Sequence, residues 1–344
     1  MHREFALGIL MGVLAGFVNG IFLLPMRYTR KWAWENIWLV FTILSTFVFP
    51  WIAAIFAVPH VGAILKSTSL SYLLVGLIAG TVWGIAQVLY GLGCAMVGIA
   101  IGSAIIACTA IIAGTIGPII AYAPEELVSF SSIKLLIAVL LIVLGIYLYG
   151  QAGARKERET ADGVAPRQIV KGSLRAGLII CLISGVLGTA FIYGGKSSTA
   201  ILAAARAAGA SSLVAFYAAY VVTFKAGTIP GAIYSIYKLR QNNTASNYTT
   251  SGSTLLNLAL TISMALLWYA GILLYGMSSE EMGKLGPSIA FALFASGTVL
   301  FANLFGWLAG EWKGASRQTI HSFVKGMVLI VLAVLIIAFG VRSG

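Results

Sequence analysis

Charge is what this sequence has least of. Only 9% of its 344 residues are Asp, Glu, Lys or Arg, where soluble domains carry about 25%. With 60% of the residues hydrophobic, a fold in water would expose large apolar patches, so a soluble protein is excluded. Cysteine is scarce as well. Cys94, Cys108 and Cys181 all fall in apolar runs and read as small buried side chains, which excludes a disulfide framework and a cysteine metal site. His2, His60 and His321 are far apart and near the ends of runs. No HExxH, GxSxG or P-loop pattern occurs, so no enzyme constellation, metal or cofactor is implied.

Acidic residues are the most informative absence. There are ten, and every one lies in a loop or at the end of an apolar run. Proton relays in membranes usually place Asp, Glu or His within a span, and this sequence does not. The net charge of +12 therefore comes from Lys and Arg in loops. It reflects the positive-inside rule and not a nucleic-acid partner.

What is present is a series of long apolar runs. A spanning helix needs about 20 such residues, and the runs predict ten: 5–24, 36–57, 70–91, 95–121, 133–150, 174–194, 211–237, 254–276, 286–308 and 320–341. They are continuous and not alternating, which argues against a barrel. The fold class is an all-α integral membrane protein set in a lipid bilayer. The N-terminal "MHREFALGILMG" opens a run that continues to Leu24 without a clear cleavage site, so it is read as the first span rather than a signal peptide.

The polar stretch "GQAGARKERETADGVAPRQIVKGSLR" (Gly150 to Arg175) divides the chain. Residues 1–150 form one five-helix half, 151–173 a basic cytoplasmic linker, and 174–344 a second half. Thirteen Lys and Arg fall in the connections on the linker side and seven on the other, which places the linker in the cytoplasm and both termini outside. The sequons "NNT" (242–244) and "NYT" (247–249) then face the cytoplasm and read as chance matches.

Five helices per half make the halves antiparallel, so related halves would be an inverted repeat, an architecture of secondary transporters. "WGIAQVLYG" (Trp83 to Gly91) and "WYAGILLYG" (Trp268 to Gly276) share Trp and Leu-Tyr-Gly at equal spacing. Gly8, Gly16 and Phe22 match Gly177, Gly185 and Phe191 in the same way. Gly8, Gly12, Gly16 and Gly20 form one stripe, as do Gly98 and Gly102. Such stripes allow close helix approach.

One charge stands inside a run. Lys225, in "YVVTFKAGTIPG" (Tyr220 to Gly231), is near the middle of the seventh span, where insertion costs about 2.5–3.5 kcal/mol. Pro230 leaves the Ala226 carbonyl without its helical donor, so a helix break is expected there. Two readings stand side by side: a lysine satisfied by carbonyls at a packing interface, or a cavity-lining group that binds substrate or exchanges a proton. Asn19, Gln87, Asn257 and Asn303, with Tyr90, Tyr217, Tyr220, Tyr275, Trp83 and Trp268, supply amides and flat rings. Amides both donate and accept, which suits the edges of a neutral sugar, while rings suit its C–H faces.

Four segments carry a resemblance: "PMRYTRKWAWENIW" (Pro25 to Trp38), "VWGIAQVLYGLGCAMVGIAIGSAIIACTAIIAGTIGPII" (Val82 to Ile120), "NLALTISMALLWYAGILLYG" (Asn257 to Gly276) and "GEWKGASR" (Gly310 to Arg317). They resemble the L-rhamnose–proton symporter family of the drug/metabolite transporter superfamily, over nearly the whole chain. The resemblance implies ten helices in two inverted halves, outward termini, and sugar import with protons by alternating access across a bacterial cytoplasmic membrane. Trp83, Gln87, Tyr90, Asn257, Trp268 and Tyr275 match the family pattern by position. With Asn19 and Lys225 they form the expected substrate-binding set, Lys225 being also the coupling candidate. Ala95 stands where an arginine is expected, Gly271 where a glutamine is, and Lys225 in a stretch expected to be small and apolar. The alternative on the same fold is a uniporter or a carrier of an acidic sugar, with Lys225 holding the substrate carboxylate.

Overall fold

Long apolar segments leave the backbone one economical option in a bilayer, which is to hydrogen-bond to itself along a helix. The computed structural model describes residues 2–160, 173–196, 198–250 and 252–341, and among these there is no strand. The helices are α1 (His2–Ile21), α2 (Trp34–Ile43), α3 (Phe49–Ala57), α4 (Val61–Ser67), α5 (Leu70–Val97), α6 (Ile99–Tyr122), α7 (Phe130–Thr160), α8 (Leu174–Leu187), α9 (Ala190–Lys196), α10 (Thr199–Ala207), α11 (Phe216–Gln241), α12 (Asn247–Thr250), α13 (Thr254–Glu281), α14 (Gly286–Leu308) and α15 (Arg317–Gly340).

Among the described residues, nine segments are long and apolar enough to cross a membrane. They match nine of the ten expected spans. The remaining one, 211–237, forms α11, whose 26 residues suffice in length. Its composition is less apolar because it holds Lys225, Lys238, Arg240, Pro230 and four tyrosines.

Two local expectations need correction. First, α11 does not break: it runs as one helix through Pro230. A break in lipid would free still more backbone groups than the one donor Pro lacks. The irregular turn lies in its neighbour, where a π segment, Leu44–Val48, joins α2 to α3. Pro50 follows it, and the Phe49 N–H reaches back five residues to the Leu44 carbonyl. Second, the fifth expected helix, 133–150, does not end at 150: α7 continues to Thr160, into the stretch expected as linker. Residues 161–172, with Arg167 and Lys171, lie outside the described residues. The expected span 174–194 is likewise divided, into α8 and α9, and α10 follows it. Between α5 and α6 stands Gly98, at φ 95°, a backbone angle that glycine adopts without penalty.

The chain forms two compact units, and each draws on both sequence halves. The first comprises Met1–Gly20, Leu89–Thr189 and Leu274–Gly344. In it the glycine stripe of α1 lies along α14: a Cβ on Gly16 would stand 2.7 Å from Gly297 Cα, and one on Gly20 2.9 Å from Phe301 Cβ. On α8, a Cβ on Gly185 would meet Thr109 Cβ of α6 at 2.6 Å. Helices α7 and α15 approach at Gly145 and Gly326. Ile111, Leu135, Ile142, Ile289, Leu293 and Ile330 fill the core. The second unit comprises Ile21–Val88 and Ala190–Leu273, and it holds most of the expected site.

Candidate functional site

Small residues build this site. On α5, Gly76, Gly80 and Gly84 recur every four residues, so they form one stripe, and it faces α11. A Cβ on Gly80 would collide with the Thr223 carbonyl, and one on Gly84 would lie 2.5 Å from that of Gly227. The two backbones therefore touch, and Trp83, beside Gly84, is laid across Gly227: a Cβ there would be 2.7 Å from the indole.

Around this crossing the unit gathers aromatic rings. Phe224 is fully buried, with ring centroids at 5.4 Å to Trp83, 5.6 Å to Trp268, 5.0 Å to Tyr220 and 6.1 Å to Phe191. Trp83 and Trp268 lie 5.7 Å apart at 36°, and Phe41 of α2 meets Trp268 edge-on at 6.1 Å. Such offset and edge-to-face pairs add about 0.5–1.5 kcal/mol each beyond area burial. Trp268 keeps part of its surface exposed. The Tyr269 hydroxyl is buried without a hydrogen-bond partner among the described residues, although buried tyrosines usually find one. Within the π segment, Thr46 Oγ1 shares a hydrogen bond of 2.8 Å with Thr228 Oγ1 of α11.

At one end of the unit, polar side chains tie the loop after α1 and the start of α2 to the segment after α11 and the start of α13. Asn257 is fully buried, and its amide clamps Arg30: Oδ1 accepts from the Arg30 N–H at 2.9 Å, and Nδ2 donates to the Arg30 carbonyl at 2.8 Å. Trp32 Nε1 donates to the Asn247 carbonyl at 3.2 Å. Asn36 Nδ2 donates to the Thr244 carbonyl at 2.9 Å, and Tyr248 Oη donates to the Asn36 carbonyl at 3.0 Å. Burial lifts the Tyr248 hydroxyl above the usual tyrosine range, its bond to Asn36 opposes this, and the charge of Glu35 adds to the lift. Glu35 itself accepts from Asn242 Nδ2 at 3.0 Å and from Thr244 Oγ1 at 2.7 Å.

Comparison with known proteins decides what class of molecule carries this arrangement. Residues 1–343 match the family described as L-rhamnose-proton symport protein (RhaT). The chain belongs to that family. Proteins named L-rhamnose-proton symporter from Escherichia coli and Citrobacter koseri are 26% and 25% identical to it, over 100% of both chains in each case. One of the same name from Shigella dysenteriae is 26% identical over the same share. This is a family of multi-pass membrane transporters and not of enzymes.

Of the residues expected at a family site, the structure brings Trp83 and Trp268 together. Lys225 follows Phe224 but points away from the rings. It is exposed, has no hydrogen bond among the described residues, and shares its face of α11 with the exposed Ile229, Ile233 and Ile236. Gln87, one turn beyond Trp83, is also exposed and without a hydrogen bond among the described residues. Asn257 lies in the same unit at the loop clamp, eleven residues before Trp268. That is about 16 Å along a helix, with its amide engaged at both ends.

The other three expected residues belong to the first unit. Asn19 Nδ2 donates to Thr298 Oγ1 at 3.1 Å, while its Oδ1 is buried without a partner among the described residues. Tyr275 is buried against Phe291 and Phe294. Tyr90 is 43% exposed.

Sequence reasoning passed over Phe224, Tyr269, Glu35, Asn36, Asn242, Thr244 and Tyr248. The signals were present. The stripe of Gly76, Gly80 and Gly84 marks a crossing, and the two sequons mark a cluster of short polar side chains, whose Asn242 and Asn247 hydrogen-bond inside the clamp.

Proposed function

We propose that this protein imports L-rhamnose or a closely related sugar together with protons, by alternating access, in a bacterial cytoplasmic membrane. Family membership over residues 1–343 carries this reading. Trp83 and Trp268, with Phe224 beneath them, supply the flat apolar surface against which sugar C–H faces stack, and Gln87 supplies an amide one turn away for hydroxyl edges. Asn257 acts in this reading by holding the loop after α1.

The ten-helix inverted repeat belongs to the same proposal, with α11 as the seventh span, the linker in the cytoplasm and both termini in the periplasm. Three observations support the repeat. The unit boundaries fall four residues after Gly16 and four after Gly185, and five residues after Trp83 and five after Trp268. The matched Gly16 and Gly185 pack on α14 and α6 respectively, which are the fourth helices of opposite halves. The matched Trp83 and Trp268 rings meet at 5.7 Å, as equivalent residues near a pseudo-twofold axis do.

A counterflow panel in proteoliposomes tests the function. Rhamnose-loaded vesicles are expected to take up labelled L-rhamnose, and an inward proton gradient is expected to drive accumulation. No exchange of rhamnose or of any deoxyhexose or hexose would refute the reading. One observation favours a second reading, a carrier of acidic sugars or a uniporter: Lys225, one residue from Phe224, is a cation unpaired among the described residues. In that case a sugar acid exchanges better than rhamnose, and Lys225→Met removes the preference.

A further inference from the structure

We propose that Glu35 is the proton-binding group of the transport cycle, a proposal that rests on the proton-coupled reading above. Of the acidic side chains described, Glu35 alone is buried, at 4% exposure. Its sequence position, next to the loop at the start of α2, gave no sign of this. The groups that hold it are neutral. Asn242 Nδ2 and Thr244 Oγ1 both address Oε1, and it forms no ion pair among the described residues. Of the titratable groups around it, Lys238 on α11 acts on it through charge alone, and Tyr248 on α12 feels its charge in turn. A buried carboxylate in an ion pair cannot be protonated without stranding a buried cation, which costs several kcal/mol. A carboxylate held by an amide and a hydroxyl carries no such penalty.

The chemistry is one proton. Charged Glu35 accepts both hydrogen bonds. Protonation forms an O–H bond on the carboxyl group with a proton taken from water, and no other covalent bond changes. The negative charge is cancelled, and hydrogen bonds to a neutral acid are about half as strong as those to its anion. Release returns the proton to water and restores them. The two partners sit on the segment after α11 while Glu35 sits on α2, so the protonation state sets how firmly these two parts are joined. Asn36, Trp32 and Tyr248 attach to the same joint. Lys225, the other coupling candidate, lies on an exposed isoleucine face with no acidic partner among the described residues.

Glu35→Gln separates proton binding from mere positioning, since the amide oxygen still accepts from Asn242 and Thr244 and cannot take up a proton. In proteoliposomes, rhamnose counterflow by E35Q is expected to stay within about threefold of the parent protein. Accumulation under an inward proton gradient is expected to fall to simple equilibration. Continued concentrative uptake by E35Q overturns the proposal, and so does loss of counterflow in step with accumulation, which would make Glu35 a structural clamp. Should E35Q fail to fold, Thr244→Val removes one donor and leaves the carboxyl group. The pH midpoint of accumulation is then expected to move up by about half a unit to one unit, and an unmoved midpoint overturns the proposal. Parent protein that exchanges rhamnose with no response to any proton gradient would refute the coupling reading itself, before any variant is made.

Discussion

Replacing Asn257 by Ala distinguishes a ligand from a clamp. The side chain is fully buried and makes two hydrogen bonds to the Arg30 backbone, of 2.9 and 2.8 Å. Truncation removes both and leaves the Arg30 N–H and carbonyl to find water. A hydrogen bond of this kind contributes about 0.5–1.5 kcal/mol net, and those measured inside membranes average about 0.6. The pair together is therefore worth about 1–3 kcal/mol. For a chain of this size that corresponds to a fall in Tm of about 2–6 °C. The assay is thermal unfolding of purified protein in detergent, paired with the KM for rhamnose uptake in proteoliposomes. The expected result is a lower Tm and a lower maximal rate, with KM within about twofold of the parent protein. An unchanged Tm with a KM raised about tenfold would refute the reasoning, because it would mean that the amide spends its hydrogen bonds on sugar and not on Arg30.

Three further outcomes follow from the same geometry. Gly80→Ala drives a methyl group into the Thr223 carbonyl, so folded yield is expected to collapse. Gly62→Ala, with open space around it, is expected to leave yield and Tm unchanged or slightly raised, and size-exclusion profiles of the two variants check the contrast. Trp268→Ala removes one ring of the stacked pair, and its KM for rhamnose is expected to rise about tenfold or more while Trp268→Phe retains most of the affinity. Equal KM values for both variants would place the sugar elsewhere. Lys225→Met is expected to leave neutral-sugar counterflow within about twofold of the parent protein, since the lysine points away from the rings, and a large loss would contradict that placement.

The membrane class, nine spans and the family were legible because they depend on composition and on runs of about 20 residues, which local sequence carries directly. Trp83 and Trp268 stood out by their equal spacing within two similar segments, and that their rings meet came only from the fold. Asn257 was visible as a polar residue in a span, but its partner is the backbone of Arg30, 227 positions away. Phe224 was invisible, since one phenylalanine among seventeen becomes central only through the neighbours that surround it. Pro230 pointed to a break in α11, whereas the fold keeps α11 continuous and has its irregular turn in the π segment between α2 and α3. A proline removes one donor, and where the helix yields depends on what packs around it.

By itself, then, the sequence determined the solvent the protein lives in, the helical state of its backbone and its family. Each is set by the transfer of apolar groups into lipid and by hydrogen bonds within one segment, terms that neighbouring residues decide among themselves. Only the tertiary structure decided which polar groups are already satisfied. It engaged Asn257 at both ends, left Lys225 and Gln87 without hydrogen-bond partners among the described residues, and buried Glu35 among neutral donors. Burial and pairing are properties of what approaches from elsewhere in the chain, and a residue's own surroundings in sequence do not contain them.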